Sequence, residues 1–266
     1  MRPSRGSEAE VEERRRTVLR QVADEGEIRI ADLAERLGVS VMTMHRDLDN
    51  LTERQLLHKG RGVATAFPVV TMESAVRFRE HADLDVKTAL AAELIEEVAP
   101  GSTVLVDCGS TLFPFARRLA AVEGLHVITN SLRVAYLLSG SSTEVTLLGG
   151  RFHEDFESCA GPRSRRELRS LRAAVAFVTA TSISAGRLYH PVREYADNKR
   201  AYLQAADRTV LAVGHRKFGR TATYGYGDVG GYDLLVTDDR APADELRAAR
   251  DLGAEVHTVT PTAPPT

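Results

Sequence analysis

The sequence predicts an α/β protein of two domains: a small helical domain closed by a β-hairpin over residues 1–66, and a larger domain with a mostly parallel sheet over residues 85–260. Three observations predict it. Between Ile28 and Leu51, two short amphipathic stretches are separated by Gly38. Leu56-Leu57-His58-Lys59 and Val63-Ala64-Thr65 are β-prone runs around a Gly60-Arg61-Gly62 turn. From Asp85 onward, apolar runs of strand length alternate with helical patterns, which implies a parallel sheet covered on both faces. Residues 67–84, with Pro68 near their start, read as a linker. Residues 261–266, containing Pro261, Pro264 and Pro265, read as a disordered tail.

The first domain opens on a helix candidate over residues 9–25, with Val11, Val18, Leu19 and Val22 on one side. Its Arg14-Arg15-Arg16 run suits either a DNA backbone or a solvated face. Leu33, Ala34 and Leu37 fall at helical spacing, and Gly38 supplies the left-handed residue that ends that helix. Ser40 can cap a second helix whose Met44, Leu48 and Leu51 form one apolar stripe. Ser40, Val41, Met42, Thr43, His45 and Arg46 are then left as the groove-facing set. Short side chains at the N-terminal end with an arginine beyond suit a DNA major groove. The hairpin that follows reads as the wing of a winged helix-turn-helix, with Lys59 and Arg61 placed to reach phosphates or the minor groove.

These residues resemble the amino-terminal domain of DeoR-type bacterial repressors, whose signature is a Val-Ser, a Thr-Ile-Arg-Arg-Asp-Leu and a following Gly-Gly-Ala. Here Val39-Ser40 precedes Thr43-Met-His-Arg-Asp-Leu48, and the wing reads Arg61-Gly62-Val63-Ala64. Met44 keeps the buried volume. His45 removes a permanent charge from the groove-facing surface, so base preference does not transfer from relatives.

In the second domain the expected strands are residues 103–107, 126–129, 144–148, 174–178, 209–213, 233–237 and 255–259, with helices between most of them, the first over residues 86–98. Ligands of such sheets collect beyond the carboxyl ends of the strands. Polar punctuation sits there: Asp107-Cys-Gly109-Ser110-Thr111, Thr129-Asn130-Ser131, Gly149-Gly150 and Lys217. Gly109 permits close backbone approach, and the Ser110 and Thr111 hydroxyls with free N–H groups can cradle a phosphate. A tight turn at Gly149-Gly150 and a helix cap at Asn130 are compatible structural roles.

This region resembles the carboxy-terminal sensor domain of the same regulators, where Asp-x-Gly-Thr-Thr, Thr-Asn-Ser, Leu-x-Gly-Gly and Asp-x-Ser-Lys-Phe-Gly occur in that order. The resemblance runs from about Glu8 to Asp239. It implies a fold shared with ribose-5-phosphate isomerase and related coenzyme A transferases, and sugar phosphates as effectors. The matching effector-site positions are Asp107, Gly109, Ser110, Thr111, Asn130, Gly149, Gly150 and Lys217, with Lys199 on a later helix. Arg79 and Lys87 fit a preceding Arg…Lys pair. Three departures stand out: Val213-Gly214-His215-Arg216 where relatives place an acid before Lys-Phe-Gly, Thr179-Ala-Thr-Ser182 in place of a Gly-containing strand end, and Leu112 after the phosphate loop.

The reading is a ligand-controlled DNA-binding regulator rather than an enzyme, a repressor by family habit. Its expected partners are a double-stranded operator, a small phosphorylated metabolite and further copies of itself as a dimer or tetramer. The alternatives are a second domain that only oligomerises, or an isomerase- or transferase-like activity with Asp107, Glu194, Lys199 and Lys217 as candidates by type. Charge placement must carry DNA binding. Residues 1–64 hold 12 basic and 12 acidic side chains, and the whole chain has a net charge of −2. Cys108 and Cys159 give no disulfide framework, and neither they nor the eight histidines show metal-ligand spacing, so no cofactor or metal is expected. A polar N-terminus and the lack of any long apolar run suggest a cytoplasmic protein without a membrane span.

Overall fold

The computed structural model describes residues 8–53, 56–65 and 76–261. The chain divides into two compact units, Met1–Ala82 and Asp83–Thr266. In the first, α1 (Glu8–Glu25), α2 (Ile30–Arg36) and α3 (Val41–Glu53) surround a core of Val18, Leu19, Val22, Leu33, Met44, Leu48 and Leu51. Complete burial of Met44, Leu48 and Leu51 stabilises the unit by about 1.5–3 kcal/mol each. Gly38 turns the chain between α2 and α3 at φ +61°, a left-handed conformation, and the Val39 N–H closes the turn on the Ala34 carbonyl at 3.0 Å.

The hairpin is a three-stranded antiparallel sheet. Its β2 (His58–Lys59) and β3 (Val63–Thr65) are joined by β1 (Glu27–Arg29), which pairs with β3. That third strand is absent from the sequence reading, because three residues between two helices carry no periodicity of their own. The expected linker is corrected in part. Its residues 76–81 form a helix, α4 (Val76–His81), and its earlier part, residues 67–75, lies outside the described residues, as does most of the expected tail.

The second unit is built on a seven-stranded sheet with every neighbouring pair parallel. Its strands are β4 (Thr103–Val106), β5 (His126–Thr129), β6 (Glu144–Leu147), β9 (Ala173–Thr179), β12 (Ala206–Ala212), β14 (Leu234–Asp238) and β15 (Glu255–Val259), in spatial order β15-β14-β12-β9-β4-β5-β6. The helices are α5 (Leu84–Leu94), α6 (Phe113–Leu119), α7 (Leu132–Leu138), α8 (Pro162–Arg169), α9 (Arg193–Gln204) and α10 (Ala243–Asp251). Leu105, Ile128, Ala176, Val178, Leu211 and Leu235 form the buried centre. Because all seven strands run the same way, the loops after β4, β5, β6, β9, β12 and β14 share one rim of the sheet.

Two antiparallel pieces decorate it: the hairpin β7 (Arg151–His153)–β8 (Ser158–Ala160), and a sheet of β10 (Ser182–Ser184), β11 (Arg187–His190) and β13 (Tyr224–Asp228). Neither is legible as a strand pattern, since the segments have three to five residues and β13 carries Gly225 and Gly227. Among the described residues, no helix is long and apolar enough to cross a membrane, and no cluster of side chains is suited to holding a metal ion.

Candidate functional site

The residues expected to face the groove lie on α3, or cap it, outside its buried stripe of Met44, Leu48 and Leu51. Ser40 caps the helix, its Oγ accepting from the Thr43 N–H at 3.1 Å and lying 2.9 Å from the Thr43 hydroxyl. Val41, Met42 and Arg46 are exposed, Met42 at 67 %, while Thr43 and His45 are half-buried.

Two expectations about the cations change. Arg14 and Arg15 do not face outward: both donate to the carboxylate of Asp47, at 2.7 and 3.0 Å, and Asp47 is buried on the inner side of α3. This clamp ties α1 to the helix that carries Arg46. In the wing, Lys59 pairs with Asp49 of α3 at 2.5 Å, which reduces its charge toward a phosphate. Arg61 remains exposed at the tip.

At the rim of the large sheet, the end of β4 delivers Asp107 beneath α9. Its Oδ2 accepts from Lys199 Nζ at 2.5 Å, from Thr179 Oγ1 at 2.8 Å and from the Thr179 N–H at 3.2 Å. Lys199 also donates to the Thr179 carbonyl at 2.8 Å. Both charged side chains are almost fully enclosed, at 3 and 4 % exposure. Burial pushes the Asp107 carboxyl up, but the Lys199 ammonium and the hydrogen bonds from Lys199 and Thr179 outweigh it and hold the group below the ordinary carboxylate range. Asp107 and Lys199 therefore satisfy each other and serve the rim as a fixed ion pair.

Next to them, Ser110 is buried on a single 3-10 turn (Ser110–Leu112) that leads into α6, with Thr111 half-buried on the same turn. The Lys87 ammonium of α5, itself buried, donates to Ser110 Oγ at 3.3 Å. Gly109 serves a closer neighbour than a ligand. A Cβ there would lie 2.8 Å from the Thr179 Cβ, so the side chain of Thr179 already fills the space that the glycine opens. Asn130 is fully buried and spent on the fold: its Nδ2 donates to the Cys159 carbonyl at 2.7 Å and its Oδ1 accepts from Tyr202 Oη at 2.9 Å.

Gly149-Gly150 is likewise engaged by the protein. The Gly149 N–H donates to Glu167 at 3.1 Å, its carbonyl accepts from Ser164 Oγ at 2.5 Å, and a Cβ on Gly150 would stand 2.7 Å from the Ala160 carbonyl oxygen. Lys217 lies on the turn after β12, closed by its N–H on the Gly214 carbonyl at 3.0 Å. In the sheet order β6 and β12 are four steps apart, roughly 19 Å at the usual strand spacing. One phosphate cannot span from Gly149 to Lys217. The structure brings together Asp107, Lys199, Gly109, Ser110 and Thr111; Gly149-Gly150 follows the edge strand β6, two strands from β4, while the turn that carries Lys217 follows β12 and borders α5, where a Gly214 side chain would begin 3.3 Å from Val86.

Three rim residues carry more weight than their sequence context suggested. Lys87 is matched in the sequence only as part of the Arg…Lys pair and is not placed in the effector set. Thr179 belongs to a departure from the family pattern yet organises Asp107. Asp238, fully buried at the end of β14, accepts from the His215 N–H at 2.7 Å and lies 2.9 Å from His215 Nδ1. It places a carboxylate 3.9 Å from where a Gly214 side chain would begin, so the acid missing at Gly214 has a neighbour in space that no linear reading could find. Of the enzyme candidates, Asp107 and Lys199 are committed to one another as an ion pair and Glu194 bonds His153 at 2.9 Å.

Comparison with known proteins agrees with this two-part layout. Residues 14–67 match the DeoR-like helix-turn-helix domain and residues 82–239 the DeoR C terminal sensor domain. The chain is 32 % identical over 237 residues to the HTH-type transcriptional regulator YgbI of Escherichia coli (strain K12), covering 89 % of this chain and 93 % of that protein. It is 27 % identical to the glycerol-3-phosphate regulon repressor of the same organism, covering 90 % and 95 %, and 26 % identical to a putative aga operon transcriptional repressor of Escherichia coli O157:H7, covering 92 % of each. Among solved structures, ribose 5 phosphate isomerase A from Neisseria gonorrhoeae is similar at 15 % identity and a TM-score of 0.38, over 53 % of this chain and 54 % of that one. With both family domains matched in order across most of its length, the chain belongs to the DeoR family of DNA-binding transcriptional regulators and is not an enzyme.

Proposed function

We propose that this protein represses genes of carbohydrate metabolism as a two-fold oligomer, and that a phosphorylated sugar metabolite held at the rim of its second unit retunes its operator affinity. The contact of the buried Lys87 ammonium with Ser110 carries the reading. A phosphate needs a cation and hydroxyl or N–H donors at one point, and the turn of Ser110 and Thr111 beside Lys87 supplies both. The relatives point the same way: one is named for a phosphorylated three-carbon polyol, and two are named repressors. Two copies reading two half-sites compensate for a DNA-binding unit of no net positive charge.

Lys87→Met keeps the length of the side chain and removes the charge. It is expected to leave operator affinity without effector unchanged and to weaken effector binding by about 10–100-fold, the loss of one charge-assisted hydrogen bond. Calorimetry and mobility shift on the same preparation check this. An unchanged response to effector places the ligand elsewhere.

A second reading, a domain that only oligomerises, is favoured by the internal bonding of Asn130 and Gly149. A thermal-shift series with sugar phosphates separates the two, because a ligand that binds only the native state raises the unfolding temperature.

For the DNA-binding unit, Arg46→Ala is expected to lose about 1–3 kcal/mol of operator binding at fixed salt, the value of a bidentate base contact. Equal affinity of variant and parent in a mobility-shift titration contradicts that role.

A further inference from the structure

The second unit carries a face that the sensor reading does not use. From Pro162 to Arg172 the chain holds five arginines, Arg163, Arg165, Arg166, Arg169 and Arg172, against one acid, Glu167, although the whole chain has 35 basic and 37 acidic residues. Ser164 and Leu168 anchor α8 in the protein, and every exposed charged side chain on the helix is an arginine. Arg163 spreads into solvent at 74 % exposure and meets Glu167 at 3.2 Å. Arg165 approaches Asp197 of α9 at 3.7 Å, and just past the helix Arg172 meets Asp207. Arg166 and Arg169 have no ion-pair or hydrogen-bond partner among the described residues. Like charges three apart on a helix repel, so this arrangement costs the isolated molecule stability. An external anion would reverse that term.

We infer that the arginine face of α8 binds the phosphate backbone of double-stranded DNA, as a second contact besides the recognition helix and its wing. The partner follows from charge complementarity. This chain belongs to a family that binds DNA through its other unit, duplex DNA carries one negative charge per about 1.7 Å of its axis, and the planar guanidinium pairs with phosphate in bidentate fashion. The contact is independent of sequence, since arginines spaced on a convex helix face meet phosphates before base edges. It supplies the positive charge that the first unit lacks. The inference rests on membership in a DNA-binding family and not on the effector reading.

The test uses the full-length protein and a long duplex of arbitrary sequence, with binding followed by fluorescence anisotropy across a range of salt. Each neutralised phosphate contributes about 0.9 to the slope of log affinity against log salt. Arg166→Ala with Arg169→Ala is expected to flatten that slope by about 1.8 and to weaken binding most at low salt. A second double variant, Arg247→Ala with Arg250→Ala, removes the same charge from exposed positions on α10 and is expected to keep the parent slope. An unchanged slope in the α8 variant overturns the inference, and points to another partner for that face. An equal drop in both variants also overturns it, because it would report net charge alone. Because the duplex is arbitrary and no effector is present, failure here leaves the effector reading untouched.

Discussion

Lys199→Met is expected to destabilise the second unit by about 3–5 kcal/mol, because it leaves the Asp107 carboxylate enclosed without its cation. The two hydrogen bonds from Thr179 remain but do not supply a charge. Adding Asp107→Asn to the same chain is expected to recover most of the loss, since a neutral amide can keep those donors and no ion is left stranded. Denaturant titrations of parent, single and double variants check the pattern, and a double variant no more stable than the single contradicts it. Acid has a defined sign as well. The Asp107 carboxyl titrates below its ordinary value in the folded protein, so its contribution is fully present above about pH 4 and is lost as pH falls through the folded value. The double variant therefore loses stability less steeply than the parent below that point.

Asp47→Ala is expected to cost about 2–3 kcal/mol of stability, in the range of losing hydrogen bonds to a charged group, and to weaken operator binding beyond what unfolding explains. Two arginines of α1 converge on this one carboxylate, and it sits on the helix that presents Met42 and Arg46. Without it, Arg14 and Arg15 turn to solvent, which limits the stability loss, but α3 loses its tie to α1. Binding to random DNA is expected to fall less than binding to the operator, because phosphate attraction tolerates misplacement and base readout does not. Arg14→Ala supplies the converse check. If Arg14 serves Asp47 and not DNA, the salt dependence of binding keeps its slope in that variant. A slope shallower by about one unit would return Arg14 to the DNA surface.

The first unit was largely legible in its sequence because local rules and tertiary packing agree there. Gly38 sits where a left-handed residue is required, Ser40 caps, and the Met44–Leu48–Leu51 stripe leaves one exposed face. Asp47 was opaque for the opposite reason: its partners lie more than thirty residues away, and a run of three arginines looks the same whether it meets water, DNA or a buried acid. In the second unit the strands were legible from their apolar runs, and the rim followed from their common direction. Which rim residues meet was not legible. Asn130 and Gly149 read as ligand groups from type and position, and their engagement with Cys159 of β8, Glu167 of α8 and Tyr202 of α9 depends on elements farther along the chain. Lys87 was undervalued because nothing beside it in sequence shows that α5 delivers it to Ser110.

The measurement that tests the central claim most directly is operator release by paired compounds, each sugar phosphate set against its unphosphorylated counterpart, at one salt concentration. A ligand shifts the DNA-bound population only by its differential affinity for the two states, so a phosphate-reading rim predicts a response to at least one phosphorylated member and none to its partner. Release by the unphosphorylated sugar at the same concentration, or no shift in operator affinity or unfolding temperature with any phosphorylated member of a broad panel, would contradict the claim.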